Sequence, residues 1–350
     1  MGGAALQRCA YSPGLIAALA AEVAALNFSI HETPRRMKFL LACIALAFSI
    51  SARAESPADL LTAGRVDDAI QALQQQIARS PNDAASQNLL CRAHFMLDEW
   101  DRGIPSCERA VALDSTNALY HLWLGRIYGE KADRAGFLSA MSLAKKVHTE
   151  FERSVELDPS NLAARTDLAE FYLEAPGIVG GGKDKAHAQA EAITRLDPAT
   201  ANWVTARLAE RAKDDPAAER EYRAAIDASH GGARAWLNLA IFFRRTNRFD
   251  EMEQALTTME SRPLDRPDSL MDGASMLLRS GRNYPLAVRL LRRYLQSPVE
   301  TGPAFKAHFM LGQLLEKQGD RAGAATEFRA ALALAHTYAP AKEALHRIEH

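Results

Sequence analysis

Three tripeptides set the frame for this chain. Leu113-Asp114-Ser115, Leu157-Asp158-Pro159 and Leu196-Asp197-Pro198 each close an apolar helical run, and Pro81 stands 34 residues before Ser115 in the same setting. A stop signal recurring at about this interval marks stacked helical hairpins. One hairpin cannot bury both of its faces, so neighbours must stack and share a continuous core. The predicted product is an all-α solenoid of about eight hairpins, a form generally used as a surface for partners.

The clearest unit runs from Ala233 to Leu264. Trp236, Leu239 and Phe243 fall on one helical face, and Ala240 leaves room for a second helix to approach. Asn247-Arg248-Phe249-Asp250 is the turn, and Met252, Leu256 and Met259 form the inner face of the returning helix. The same frame recurs as Leu124-Gly125-x2-Tyr128, Leu168-Ala169-x2-Tyr172 and Leu311-Gly312-x2-Leu315 in first helices. Second helices repeat it as Ala218-x3-Tyr222-x2-Ala225 and Ala324-x3-Phe328-x2-Ala331. Residues 268–298 follow it more loosely, with Ala274, Leu278, Ala287, Leu291 and Tyr294 in register.

These residues resemble the tetratricopeptide repeat, whose pattern is Trp-x2-Leu-Gly-x2-Tyr followed by Ala-x3-Phe-x2-Ala-x4-Pro. The resemblance extends over roughly residues 57–349. It implies a right-handed superhelical solenoid, with Thr337–His350 as a terminal capping helix. Two intervals break the period. From Ser115 to Pro159 there are 44 residues, which predicts a longer hairpin over 118–159, and from Pro159 to Pro198 there are 39, with a Gly-rich loop at 174–184. Inserts of this kind map to one face of a solenoid, often the functional one. A long hairpin followed by a Pro-Gly-Ile-x-Gly-Gly loop is similar to a group of secreted bacterial tetratricopeptide proteins, which implies an exported scaffold and no reaction.

The N-terminus supports export independently. Arg35, Arg36 and Lys38 precede an apolar run from Phe39 to Ile50, and Ala52-Arg53-Ala54 is an A-x-A cleavage site. Residues 37–54 therefore read as a signal peptide and 1–36 as an upstream extension before the true start. Residues 55–350 are the mature solenoid, expected to be periplasmic or secreted after cleavage near Ala54. The run is too short to span a bilayer as a helix, so no membrane insertion of the mature chain is expected. The whole chain has a formal net charge of -1, and no basic excess points to nucleic acid.

Few residues carry chemistry. Gly177-Ile-Val-Gly-Gly-Gly182-Lys183 satisfies G-x4-G-K, but a phosphate loop needs a strand before it and Ser or Thr after the lysine. Here a helical segment precedes it and Asp184 follows. Pro176, Gly177, Gly180, Gly181, Gly182 and Lys183 instead suggest a loop that needs positive φ, with a loop that folds over the groove and gates it as the second reading. An enzyme or nucleotide binder built on this loop is the weakest reading. His94 and His121 could approach one another on adjacent first helices, but no cysteine or carboxylate at ligand spacing accompanies them. No catalytic residue, metal or cofactor is expected.

Only Cys91 and Cys107 remain after cleavage, each eight residues from Glu99 at the hairpin turn. In antiparallel helices equal distance from the turn means equal height. Helix axes about 8–10 Å apart bring facing Cα atoms to about 4–5 Å, within reach of a disulfide. A Cys91–Cys107 bridge and a pair of buried free thiols both remain open.

In the resembled family the first helices line a concave, peptide-binding groove. Carried over by position, the lining is Asn88 and Arg92, Leu122 and Arg126, Thr166 and Glu170, and Thr205 and Ala209. It continues with Leu237 and Ile241 followed by Arg244, then Asp272 and Met276, and Phe309 and Gln313. That wall is basic toward the N-terminal units and apolar in the sixth. It suits a protein or peptide partner with an acidic end and an apolar stretch. The Lys and Asn set that clamps a terminal carboxylate pair is not visible. The functional expectation is an envelope scaffold, with presentation of unfolded substrates during cytochrome or envelope protein maturation as the alternative.

Overall fold

A computed structural model describes residues 55–297 and 303–350; the signal segment, its cleavage site and residues 1–36 lie outside the described residues. Among those described, every regular element is helical, with seventeen α-helices and one short 3-10 turn. The helices pair into eight antiparallel hairpins. α1 (Pro57–Thr62) and α2 (Val66–Arg79) form the first, which has a truncated leading helix. α3 (Ala84–Met96) and α4 (Trp100–Leu113), then α5 (Ala118–Ala132) and α6 (Phe137–Leu157), form the second and third. α7 (Leu162–Glu174) and α8 (Lys183–Thr194), then α9 (Pro198–Arg211) and α10 (Asp215–Ala228), follow. The last three are α11 (Ala233–Arg245) with α12 (Phe249–Glu260), α13 (Asp268–Ser280) with α14 (Tyr284–Leu295), and α15 (Ala304–Lys317) with α16 (Arg321–Leu334). α17 (Ala339–Glu349) ends the chain.

The recurring tripeptides act through side-chain capping. The Asp114 carboxylate accepts from the Thr116 amide at 3.1 Å, and Asp158 accepts from the Ser160 amide at 3.1 Å. Each bends the chain out of the finished helix, and Asn117 or Asn161 then caps the next one. Asp197 does both tasks at once, capping α9 with Pro198 at its first position.

Close packing follows from the small–large pairs. A Cβ on Gly125 would lie 2.5 Å from the Phe151 ring, and one on Gly312 would lie 2.5 Å from Phe328, so only glycine lets these helix pairs meet. Cys91 and Cys107 are joined in a disulfide with Cα atoms 5.2 Å apart, both fully buried between α3 and α4.

Both inserts lie on one edge, the one where first helices turn into second helices. α6 has 21 residues against 15 in α5, so the added length is in the returning helix. The Gly-rich loop forms the 3-10 turn Gly177–Val179 and leans on α6.

Three apolar clusters make up the core. One runs through the second to fifth hairpins around Leu124, Phe151 and Tyr172, and another through the fifth to eighth around Phe242, Leu290 and Phe328. The third joins the two ends of the solenoid: Leu60, Val66, Ile70 and Leu90 pack in one cluster with Phe305, Ala335, Tyr338 and Ala341. The polar contacts across this seam are specific. The buried Asp67 carboxylate accepts from the Thr337 amide at 2.9 Å and its hydroxyl at 2.6 Å, and pairs with His336 at 2.9 Å. Lys306 pairs with Asp98 at 2.7 Å. Gly64, Asp67 and Asp98 lie at the turn edge of the first two hairpins, whereas Ala304, Lys306 and Thr337 lie at the opposite edge of the last. The solenoid therefore completes one superhelical turn and rests its first edge on its last, like a lock washer. The C-terminal segment, expected as a plain cap, contributes Tyr338 and Ala341 to that seam while Leu345 and Ile348 pack on the preceding hairpins.

Candidate functional site: the concave wall

Closing the turn gathers the first helices around an inner wall with three polar stations. The first is built on α3 and α5. The Trp123 indole packs edge-on against Phe95 at 5.5 Å and carries the guanidinium groups of Arg92 and Arg126, each 4.9 Å from its ring. Arg126 is also neutralised by Asp167 of α7 at 2.6 Å. Arg92 makes no hydrogen bond or ion pair among the described residues, and its Nε is buried without a partner. Burial, with Arg126 nearby, pushes its pKa down, the signature of a cation lacking a counter-charge. One turn earlier, Asn88 is 2 % exposed and its Nδ2 is likewise unpartnered.

The second station spans α7, α9 and α11 as a recess of about 500 Å³. Arg207, nearly buried, ion-pairs with Glu174 and with Glu210 at 2.9 Å. Glu210 also receives Arg245 at 3.0 Å. Glu170 at its rim makes no hydrogen bond. Protein walls around this solvent-touching carboxylate desolvate it and raise its pKa, against the pull of Arg207. Thr166, one turn earlier, donates its hydroxyl to the Leu162 carbonyl of its own helix.

The third station lies between α11 and α13, a cavity of about 570 Å³, within the size range of ligand sites. Ile241, Arg244, Asp272 and Met276 converge there with Arg279. Arg244 makes no hydrogen bond or ion pair among the described residues. Asp272 reaches Arg234 at only 3.4 Å, and desolvation raises its pKa. The wall thus carries charges without an ion-pair partner at Arg92, Arg244 and Glu170, beside an Asp272 held only loosely by Arg234.

Sequence reasoning placed Arg92, Arg126, Glu170, Ile241, Arg244 and Asp272 at these stations. Leu237 differs from expectation: it is fully buried in the core, because the neighbouring hairpins cover that flank of α11. Asn88 is likewise covered, and Gln313 is half-buried outside the two recesses. Trp123, Arg207 and Arg279 were missed. The positional rule selects residues two places either side of the first-helix leucine, and Trp123 directly precedes Leu124.

The Gly-rich loop does not cross this wall. Pro176 leads into the 3-10 turn, whose Val179 is buried, and Gly180 adopts φ +106° against the His148 ring. A Cβ on Gly181 would overlap the Ala175 carbonyl. Gly182 precedes α8, Lys183 starts it, and Lys185 donates to the Gly180 carbonyl at 3.1 Å. His94 and His121 are not joined to each other: His94 meets Glu99 at 2.8 Å, and His121 meets Glu150 at 2.6 Å and the Ser115 carbonyl at 3.1 Å.

A family model described as tetratricopeptide repeat matches residues 60–127, and a second of the same description matches residues 273–339. The chain is a tetratricopeptide repeat protein. No curated protein matches it. Solved structures similar to this tetratricopeptide repeat protein include yeast Tom70, at 15 % identity over 96 % of this chain and 77 % of that one, with a TM-score of 0.48. A human IFIT1 dimer with PPP-AAAA is 13 % identical over 84 % and 76 %, TM-score 0.44. A tetratricopeptide repeat protein from Parabacteroides merdae is 15 % identical over 76 % and 99 %, TM-score 0.35.

Proposed function

We propose that the chain is an exported scaffold that holds a polypeptide segment of a partner against its concave wall within an envelope assembly. The observation that carries this reading is the set of unpaired charges on the wall, Arg92, Arg244 and Glu170, with Asp272 only loosely held by Arg234. The Arg92 Nε is buried without a partner, and leaving that cation without a counter-charge is costly. A bound segment of mixed charge removes that cost and can also pair with the exposed Arg244 and Glu170. An acidic side chain or terminus suits Arg92 and Arg244, a basic or donor group suits Glu170 and Asp272, and Ile241 with Met276 accepts an apolar side chain.

The test is affinity purification of the protein from its native envelope, followed by mass spectrometry, in parallel with an R92A/R244A double variant. A partner retained by the parent and lost by the variant supports the reading. A partner retained equally by both refutes the role of the wall. N-terminal sequencing of the exported form is expected to begin at Glu55, and a chain beginning at Met1 or Gly2 contradicts export by this route.

A further inference from the structure

We propose that the turn edge carrying the two inserts docks peripherally on an anionic lipid bilayer. The observation is a concentration of exposed apolar side chains. Among the described residues the three most exposed large hydrophobics are Leu138 (81 %), Phe137 (77 %) and Ile178 (73 %), well above Leu119 and Leu196 at 42 %. All three lie on the inserts, and both inserts lie on one edge. Phe137 and Leu138 open α6, and the first buried residue of that helix is Val147. The six residues by which α6 exceeds α5 correspond to about 9 Å of helix, so the tip stands proud of the edge. Ile178 is held beside the same helix by the buried Val179 and by Gly180 against His148.

Shape and charge select the partner. A convex tip with its apolar side chains fully outward needs a surface that yields around it, as the interface of a fluid bilayer does. Residues 129–146 and 177–185 contain six Lys and Arg against three Asp and Glu. Lys131 and Lys146 pair with Asp101 and Glu108 outside these segments, which leaves Arg134, Lys145, Lys183 and Lys185 as the cations of this edge. Lys145 is exposed. Lys185 rests on the ring of Tyr172, 5.1 Å from the centroid, which fixes its ammonium group at this edge. Such cations beside apolar side chains meet lipid phosphates and acyl chains together. Docking is by side chains alone, since no described helix is long and apolar enough to cross a membrane. This inference is independent of the concave wall.

The test is co-sedimentation of the purified protein with sucrose-loaded vesicles of phosphatidylcholine containing phosphatidylglycerol, at about 50 and 500 mM salt. The expected result is binding to the anionic vesicles that weakens at high salt. In F137S/L138S/I178S partitioning should fall roughly tenfold or more, with an unchanged thermal melt. L119S/L196S, on the opposite edge, should bind like the parent. Absence of the parent protein from the vesicle pellet at low salt overturns the proposal. So does a triple variant that binds undiminished, or one that loses only self-association or a protein partner.

Discussion

Replacing Asp67 by Ala gives the sharpest test of the closed turn. In the folded chain this buried carboxylate holds both the amide and the hydroxyl of Thr337, 270 residues away. Thr337 is exposed, so water can take up its freed donors, and the loss is that of the charge-assisted bonds, about 1.5–3 kcal/mol. Seam opening should become easier by about that amount, roughly 10- to 150-fold in the opening equilibrium. Hydrogen exchange read by mass spectrometry resolves this. Peptides covering 57–73 and 331–341 should exchange faster by that factor, while α11 and α12 keep their parental rates. Unchanged protection at the seam would show that the two ends do not support each other. An equal acceleration throughout would show that Asp67 acts on global stability, and the seam account would fail.

The Cys91–Cys107 bridge closes a loop of sequence separation 16, for which chain entropy predicts about 3 kcal/mol. Guanidinium unfolding of oxidised and fully reduced protein should differ by that amount, and equal midpoints would contradict it. Alkylation without reduction should label neither cysteine; two labels would mean free thiols. The two buried histidines should titrate in opposite directions. Burial lowers the pKa of His94 against the opposing pull of Glu99, so its stabilising contribution is present above 6.5 and lost as pH falls through the lowered value. His121 is also desolvated, but the Glu150 carboxylate and Ser115 carbonyl more than offset this and raise it. Its contribution is present below 6.5 and lost as pH rises through the raised value. Ring-proton NMR titration should place the two midpoints on opposite sides of 6.5, and coincident midpoints would refute the assignment.

Much of the fold was legible because its signals are local. Asp114 and Asp158 end helices by bonding two residues ahead, so their spacing read out the repeat directly. Gly125 and Gly312 marked the helix approaches, and equal distances from Glu99 placed the two cysteines face to face. The seam was not legible. Closure depends on small inter-hairpin rotations summed over eight units, and no motif encodes that sum: Asp67 and Thr337 look like ordinary polar residues until the turn is complete. The wall was legible in part. Position along the first helices located Arg92, Glu170 and Arg244. It could not show that Leu237 is covered by neighbouring hairpins, or that Trp123 brings two guanidinium groups together. The Gly-rich composition of 177–182 announced an unusual backbone, but the direction of the loop was set by its contact with His148 on another helix.

The central claim is that a partner segment occupies the concave wall. Site-specific photocrosslinking in cells of the native host tests it most directly, with a photoreactive residue placed at Ile241 on the wall or at Gln254 on the outer helix α12. The account predicts a discrete crosslinked partner from position 241 and none from 254, with the crosslink suppressed in the R92A/R244A background. A partner captured from 254 alone, or capture from 241 that survives loss of both arginines, would contradict it.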